Sequence, residues 1–566
     1  MNNTVDTDVL VIGAGPVGLT LANLLGGYGQ RVTVVEARAE LIDYPRGVGL
    51  DDESFRTIQT MGLVDEVGRH TVPHHIMRLV NGKGQVLVTN DPPTEEFGWP
   101  RKNGFVQPLV DRELLAGLGR FDSVDDVQFR HRLEELTEAD DHVVATVRVD
   151  GPGEDSALHR LKARYVVGCE GGRSFTRNWM GVGFEGKSPS TRWLVIDVDN
   201  DPLGTPNVYL GADPKRPYVS IGLPHAIRRW EFMLFDHEPA ELVDDPAFMG
   251  RLLADHVPDP SRLDVIGRRV FTHHGRIAGS FRKGRVLIAG DAAHLMPVWL
   301  GQGWNSGIRD ATNLAWKLTS VLRGQAAPEL LDTYDVERRN HAQAMIDLNL
   351  TAGSIMKSDC KVAALRDAAA SVLNLVPSAK SYFTDMRFKP MPRYDRGVVV
   401  DATSRTPGRA AERIARRLLP MVDAPDDRSP VGAQFIQPRV NTQDGNGLLL
   451  DDVLGPWWTI AAWGNSPARL LSLDDLERVR ELGATLACFV PERQRAWAEK
   501  EYTDAPVPVA VVGDADGSLK RWFDNRPLGV LFLRPDRFVA AACLAQEASA
   551  TLASVLTAMS FTPREV

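Results

Sequence analysis

The sequence predicts an α/β protein of several domains: a doubly wound domain with a parallel sheet, an antiparallel sheet inserted into it, and a thioredoxin-like domain at the C-terminus. Three observations carry this expectation. The chain opens on an apolar run, a glycine-rich turn and a helical stretch, and a second apolar run, VTVVE, follows at 32–36. Four β-rich runs with turn residues between them crowd between residues 192 and 236. Beyond residue 432 the pattern runs strand, helix, strand, helix, hairpin, helix.

At 566 residues the chain is too long for one ordinary core, so two to four domains are expected. A formal charge of -9 and the lack of any Lys/Arg-rich run exclude a nucleic-acid partner and leave small molecules. The four cysteines stand far apart without a C-x-x-C, which supports neither a disulfide framework nor a metal site and fits a reducing cytoplasm. The run VLVIGAGPVGLTLANLLGGYG is not read as a signal segment, because Asp6 and Asp8 precede it and glycines divide it. No other uninterrupted apolar span of about 20 residues occurs, so no membrane association is expected.

In chain order, strand 8–12, helix 16–28 and strand 32–36 form a βαβ unit, the start of a doubly wound sheet. Runs at 165–168 and 285–289 lead into glycine and an acid, GCEG and GD, and a helix at 305–323 closes the region. Strands 192–200, 207–211, 217–224 and 229–236 suit an antiparallel sheet covering the mouth of a ligand site. Residues 391–432, rich in Pro, Arg and Asp, read as a linker. After it come strand 458–463, helix 474–482, strand 485–490, helix 518–524, the hairpin GVLFLRPDRFVAA and a helix from 546. The strand ends there carry no cysteine pair, so thiol exchange is not expected. The boundaries are 1–75, 101–190 and 276–390 for the first domain with its connecting helices, 76–100 and 191–275 for the inserted sheet, and 433–566 for the last domain.

GAGPVG places Gly13, Gly15 and Gly18 at G-x-G-x-x-G spacing between strand and helix, with Pro16 opening the helix. Such glycines let a pyrophosphate reach the helix N-terminus, while Glu36, with Ala37 beside it, ends the next strand and accepts from ribose hydroxyls. That motif alone serves NAD and FAD alike. The stretch GDAAHLMPVWLGQGWNSGIRDA at 290–311 separates them: Asp291 follows another strand, placed to bond a ribitol or ribose hydroxyl, and Gly301, Gly303 and Gly307 leave backbone uncovered. An NAD dehydrogenase has no need of this second element.

Through GAGPVG, GDAAH and GQGWNSGIRDATNLAWKL the chain resembles the FAD-dependent aromatic hydroxylases, the single-component class A flavoprotein monooxygenases. The resemblance implies that the first domain is a Rossmann-like FAD-binding domain. The family's Gly-x-Asp-Gly-x-x-Ser reads GCEGGRS here, with Glu170 in place of Asp and with Arg173 and Ser174 retained. PRGVGLDDESFRTIQTMGL resembles the segment that brings Arg46 near the flavin and its phosphates, and NGFVQPLVDREL implies an approach of Gln107 to FAD, with Arg112 a weaker candidate. Gly301, Gly303, Trp304 and Asn305 fall along the flavin, with Leu300 to Asn305 at the pyrimidine edge, and Pro297 borders both flavin and substrate ring. FGWPRKN, NDPLGTPNVYL, RPYVSIGLPHAIRRWEFM, LLDTYDVERR, FKPMPRY and LRPDRFVAA extend the likeness over nearly the whole chain to members that hydroxylate 3-(3-hydroxyphenyl)propionate and 3-hydroxycinnamate.

What the resemblance implies is ortho-hydroxylation of a phenolic acid to a catechol, with NADH or NADPH reducing FAD and dioxygen forming a flavin C4a-hydroperoxide; the cofactor supplies the hard step. Without a second G-x-G-x-x-G, the nicotinamide binds transiently at the flavin cleft. Pro297, His225 and Tyr218 are the catalytic candidates, the last two for the ring hydroxyl proton, whereas His294 within GDAAH reads as structural. A substrate carboxylate is expected to meet an arginine, with Arg192, Arg216, Arg228 and Arg229 equally eligible. The rivals are a flavin-dependent halogenase, whose Trp-rich motif is approached only by GPWWTI in the C-terminal domain, and a non-catalytic flavin-binding protein. Association into a homo-oligomer stays open.

Overall fold

The computed structural model describes residues 5–150, 156–188, 191–357, 359–400, 429–524, 526 and 528–563. The chain divides into two compact units: Met1–Thr94, Pro100–Ala311 and Ala342–Pro390 form the first, and Glu95–Trp99, Thr312–His341 and Met391–Val566 the second.

The first unit is built on a sheet whose parallel core runs in the order Val286–Ile288, Ser156–Gly168, Thr7–Ile12, Val32–Glu36 and Gln128–Phe129. Its central strand, TDVLVI, has Val9, Leu10 and Val11 fully buried, as expected of a parallel strand covered on both faces. Helix Pro16–Gly27 follows with proline at its start, where a missing N–H costs nothing. It packs along helix Gln107–Leu118, and Asn23 Nδ2 donates to Leu114 O at 2.8 Å. The strand Ser156–Gly168 is far longer than its final YVVG suggests. Its first half pairs antiparallel with Val143–Asp150, which pairs with His131–Glu138. This meander is invisible to a search for apolar runs, because its strands alternate apolar with charged residues.

A second sheet of the unit runs Asp264–Thr272, Arg192–Asp199, Arg228–Leu234, Tyr218–Gly222, Val208–Ala212, Met77–Asn81, Val86–Asn90. It is antiparallel except where Val208–Ala212 meets Met77–Asn81 in parallel register. Those two strands come from distant parts of the chain, so no tight turn dictates their relative direction.

The second unit centres on a sheet ordered Gly445–Leu449, Arg439–Thr442, Val509–Asp514, Thr485–Pro491, Thr459–Trp463, Val530–Leu533, Val539–Cys543. Three parallel strands, joined through Leu473–Leu482 and then through Arg495–Glu501, are followed by Ser518–Asp524, an antiparallel hairpin and Ala548–Ala558, giving the thioredoxin-like arrangement; helix Arg495–Glu501 and strand Val509–Asp514 are additions to the expected order. Of the linker at 391–432, residues 401–428 lie outside the described residues; before them Tyr394 is buried and stacks on Phe538 at 4.3 Å.

This unit also takes in residues 312–341, which the sequence reading put in the first domain. The physical reason is a fully buried charge cluster. Arg534 donates to Glu337 at 2.8 and 2.7 Å and to Asp536 at 2.9 and 2.6 Å, while Lys317 Nζ donates to Glu337 at 2.8 Å. Burial alone would raise the Glu337 carboxyl, but Arg534 and Lys317 hold it down to about 2. Cys488 and Cys543 are buried apart from any other thiol, and burial pushes Cys488 up to about 12. Among the described residues no helix is long and apolar enough to cross a membrane.

Replacing Glu337 with Ala leaves Arg534 and Lys317 buried beside a lone Asp536, so stability should fall by about 3–5 kcal/mol in chemical denaturation; a loss below about 1 kcal/mol would show that the cluster contributes little. Alkylation of the folded protein should label exposed Cys360 and spare Cys169, Cys488 and Cys543, as read by peptide mass spectrometry, because thiolates are the reactive form and burial disfavours them.

Candidate active site

A cavity of about 700 Å³ opens in the first unit where the parallel strands end, and one face of the second sheet forms its far wall. Carboxyl ends of parallel strands are where open α/β sheets hold ligands.

The three glycines of GAGPVG do different work. Gly13 has φ +107, and a Cβ there would sit 2.7 Å from Cys169 O; a Cβ on Gly18 would sit 2.0 Å from Gly13 O. Both are therefore demanded by packing. A Cβ on Gly15 would meet nothing within 4 Å, because that position faces the cavity, at the start of a helix that has no side-chain cap. Its free N–H groups suit an anion. Pro16 and Ala37 line the same end. Glu36 accepts from Ala14 N and Arg38 N, both at 2.9 Å, and its carboxylate keeps further lone pairs towards the cavity.

Asp291 faces the cavity, and none of the described residues donates a hydrogen bond to its carboxylate, whose pKa burial raises. Such a group fits a ligand bearing hydroxyls. Arg46 lines the wall, and its loop is shaped by Gln107, whose Oε1 accepts from Arg46 N at 3.0 Å and Gly47 N at 2.7 Å. Gln107 Nε2 donates in turn to Asp111, a cavity carboxyl pushed by burial up to about 7. Arg112, the next residue, is exposed and lies outside the lining.

Gly301, Gly303 and Trp304 line the cavity. Asn305 does not; it holds the loops that do. Its Nδ2 donates to Gly49 O at 2.9 Å and Gly301 O at 2.7 Å, and its Oδ1 accepts from Asp51 N at 3.1 Å and Ser54 Oγ at 2.9 Å. Glu170 lines the wall beside Arg173, and its carboxylate accepts from Ser174 Oγ at 2.7 Å, Thr176 N at 3.0 Å and Thr176 Oγ1 at 2.6 Å. The longer side chain thereby reaches the first turn of helix Phe175–Met180. His294 is buried, with Nε2 2.6 Å from Asp310 Oδ2, a packing role as expected.

At the sheet end, register sets one row of Met77, Val208 and Ile221 and a second of Leu210, Val219 and Glu231 on the cavity face. Trp299 closes this apolar slot, and His75, Lys102 and Glu231 are its polar groups. His75 Nε2 donates to Gly222 O at 2.8 Å, and burial pulls the imidazole down to about 4, leaving it neutral.

Three expected catalytic residues lie outside this lining. Tyr218 precedes Val219, so strand alternation turns it to the opposite face, where it packs on His256 at 4.3 Å. His225 sits exposed on a turn at φ 61, with Nε2 3.1 Å from His70 Nδ1. Pro297 is buried just before the 3₁₀ turn Val298–Leu300, and its neighbours Met296 and Val298 reach the cavity instead. The four arginines are occupied elsewhere: Arg192 with Glu238 O at 2.6 Å, Arg216 with Glu238 at 2.8 and 2.6 Å, Arg228 with Asp201 at 2.5 and 2.9 Å, and Arg229 with Asp197 at 2.7 and 3.0 Å. None of them lines the cavity. The sequence reading did not find Lys102, His75, Asp111 or Glu231, because only strand register and long-range pairing bring them here.

Known proteins share this arrangement. An FAD-binding domain family matches residues 6–349, and the HcaD C-terminal domain matches residues 432–558. A 3-(3-hydroxy-phenyl)propionate/3-hydroxycinnamic acid hydroxylase of Mycobacterium avium (strain 104) is 53% identical over 99% of this chain and 93% of its own. One of the same description from Comamonas testosteroni is 45% identical over 96% of this chain and 95% of its own. A crystal structure of aklavinone-11 hydroxylase with FAD and aklavinone aligns over 98% of this chain and 99% of that one, with TM-score 0.74 and 26% identity. The glycine cradle and unpartnered Asp291 fit the FAD that this family binds, and the chain belongs to the FAD-dependent aromatic hydroxylases, the single-component flavoprotein monooxygenases.

Proposed function

We propose that this protein uses NADH or NADPH and dioxygen to hydroxylate a phenolic acid, such as 3-(3-hydroxyphenyl)propionate, beside its ring hydroxyl, giving a catechol. The carrying observation is the continuity of one cavity, from a glycine-lined cradle to an apolar slot, in a chain 53% identical to a hydroxylase of that description.

When bound, FAD stores the electrons of the nicotinamide and activates dioxygen. The rest falls to the chain. N–H groups at Gly15 and at the start of Pro16's helix would hold the pyrophosphate with Arg46, while Glu36 would accept from the ribose and Asp291 from the ribitol. Backbone at Gly301, Gly303 and Trp304 would flank the ring system, and the start of helix Gln302–Leu322 would offer N–H groups to negative charge there. Met77, Val208, Leu210, Val219, Ile221 and Trp299 keep water from the reacting ring. His75 Nδ1 and the Glu231 carboxylate are the acceptors in this slot for the ring hydroxyl, whose partial deprotonation activates the ring. The nicotinamide enters the same cleft in turn, and four free cysteines suit a reducing cytoplasm.

The test follows nicotinamide oxidation, oxygen uptake and catechol formation together, with and without 3-(3-hydroxyphenyl)propionate, using NADH and NADPH in parallel. Substrate should accelerate nicotinamide oxidation, with catechol formed in step with oxygen consumed. If another aromatic class is oxygenated and phenolic acids are not, the substrate reading fails; if peroxide is the sole product with every aromatic compound, hydroxylation itself fails.

Asp291→Ala should weaken FAD binding by about 1–3 kcal/mol, since the ribitol hydroxyl then has no acceptor. Equilibrium dialysis or flavin fluorescence reads this directly, and acid precipitation should release all flavin from wild-type protein. Unchanged affinity in a folded Asp291→Ala variant would remove this residue from the cofactor site.

A further inference from the structure

We propose that Lys102 receives the carboxylate of the substrate, setting the preference for phenolic acids over neutral phenols. This rests on the phenolic-acid reading above.

Lys102 opens the strand Lys102–Phe105 and lines the cavity at its sheet end. Two residues along the same strand face, a Cβ on Gly104 would lie 2.9 Å from the His75 ring, so this face fronts the slot between strand and sheet. Among the described residues no carboxylate pairs with Lys102 and no group accepts a hydrogen bond from it. The neighbouring cations differ. Arg101 meets Asp52 at 3.1 Å, Lys389 meets Asp51 at 2.9 Å, and the four sheet arginines are each held by protein oxygens.

Lys102 is half-buried and faces the cavity, and once apolar groups fill that cavity a cation without a partner is costly unless a ligand supplies the counter-charge. Burial, with Lys389 nearby, pulls the Lys102 ammonium down to about 7, the response of a lysine that lacks an anion. The slot walls, Met77, Val208, Ile221, Leu210 and Trp299, suit a ring and a short alkyl chain but offer a carboxylate nothing. An anion at the end of that chain completes Lys102, and Lys102 completes the anion.

The experiment compares full-length, FAD-loaded wild type with Lys102→Met and Lys102→Arg, using 3-(3-hydroxyphenyl)propionate and its uncharged counterpart 3-propylphenol. Binding is read from the perturbation of the flavin spectrum, turnover from catechol formation, and folding from retained FAD. Loss of a charge-assisted contact should cut the preference for acid over neutral phenol, as the ratio of kcat/KM values, by about 10- to 100-fold in Lys102→Met. Lys102→Arg should keep more of that preference than Lys102→Met. Wild type that prefers the acid while folded Lys102→Met prefers it equally overturns the assignment of Lys102 alone. If Lys102→Met loses its FAD, Lys102→Arg that keeps FAD but binds the acid no better than 3-propylphenol also overturns it. Wild type that oxygenates neither phenol overturns the substrate reading, and this inference with it.

Discussion

A buried set of charges fixes the waist of the cavity. Two segments, 47–54 and 301–305, face each other there, and a Cβ on Gly301 would meet Gly49 Cα at an ordinary contact distance of 3.8 Å. What holds them is polar. Arg309 reaches from its helix to Asp51 and bonds Glu53 at 2.8 and 2.9 Å, Lys389 bonds Asp51 at 2.9 Å, and Asn305 ties four groups of the two loops. Burial would raise the Asp51 and Glu53 carboxyls, yet Arg309 and Lys389 keep both below their ordinary range. Such a network holds only when nearly every partner is present, since an ion left alone in the interior costs several kcal/mol. It therefore defines one loop spacing, where apolar packing would tolerate several.

This constraint explains why some of the site was legible in sequence and some was not. The cofactor end is made from short contiguous stretches in which strand, turn and helix follow directly: GAGPVG, Glu36 at the next strand end, Asp291 after VLIA. Spacing along the chain is then spacing in space. The same spacing could not say that Gly13 and Gly18 are required by backbone packing while Gly15 alone leaves room, nor that Asn305 secures loops from behind the cavity wall.

The sheet end depends on parity and pairing, which no short motif records. Whether Tyr218 or Val219 faces the cavity turns on a single residue of strand phase. The arginines offered the right charge, but Asp197, Asp201 and Glu238 lie 32, 27 and 22 residues from their partners, and pattern alone does not reveal that those charges are already matched. Nothing in the stretch FGWPRKN marks Lys102 as facing a cavity, because the pairing of its strand with distant segments is not written in the local pattern. The same limit applied to residues 312–341, whose helical pattern was visible while their attachment, through Glu337 and Arg534, was not.

The two ends of the cavity thus rest on different materials. At the proposed cofactor end backbone N–H groups and glycine surfaces line the cavity, joined by the side chains of Glu36, Arg46 and Asp291. At the sheet end the cavity meets side chains projecting from a register that backbone hydrogen bonds hold fixed, so Met77, Val208, Leu210, Val219 or Ile221 can change in size without moving the cradle. In the proposed function the first end holds the cofactor and the second sets the substrate range. Charge is the exception to this freedom. The slot's acidic group, Glu231, has Arg229 3.8 Å away, while among the described residues no acid pairs with Lys102, so adding an acid near Lys102 would cancel the attraction proposed for an anionic substrate. On the proposed reading, apolar residues tune which ring fits, whereas a preference for acids over neutral phenols rests on the few positions that decide whether Lys102 stays unpaired.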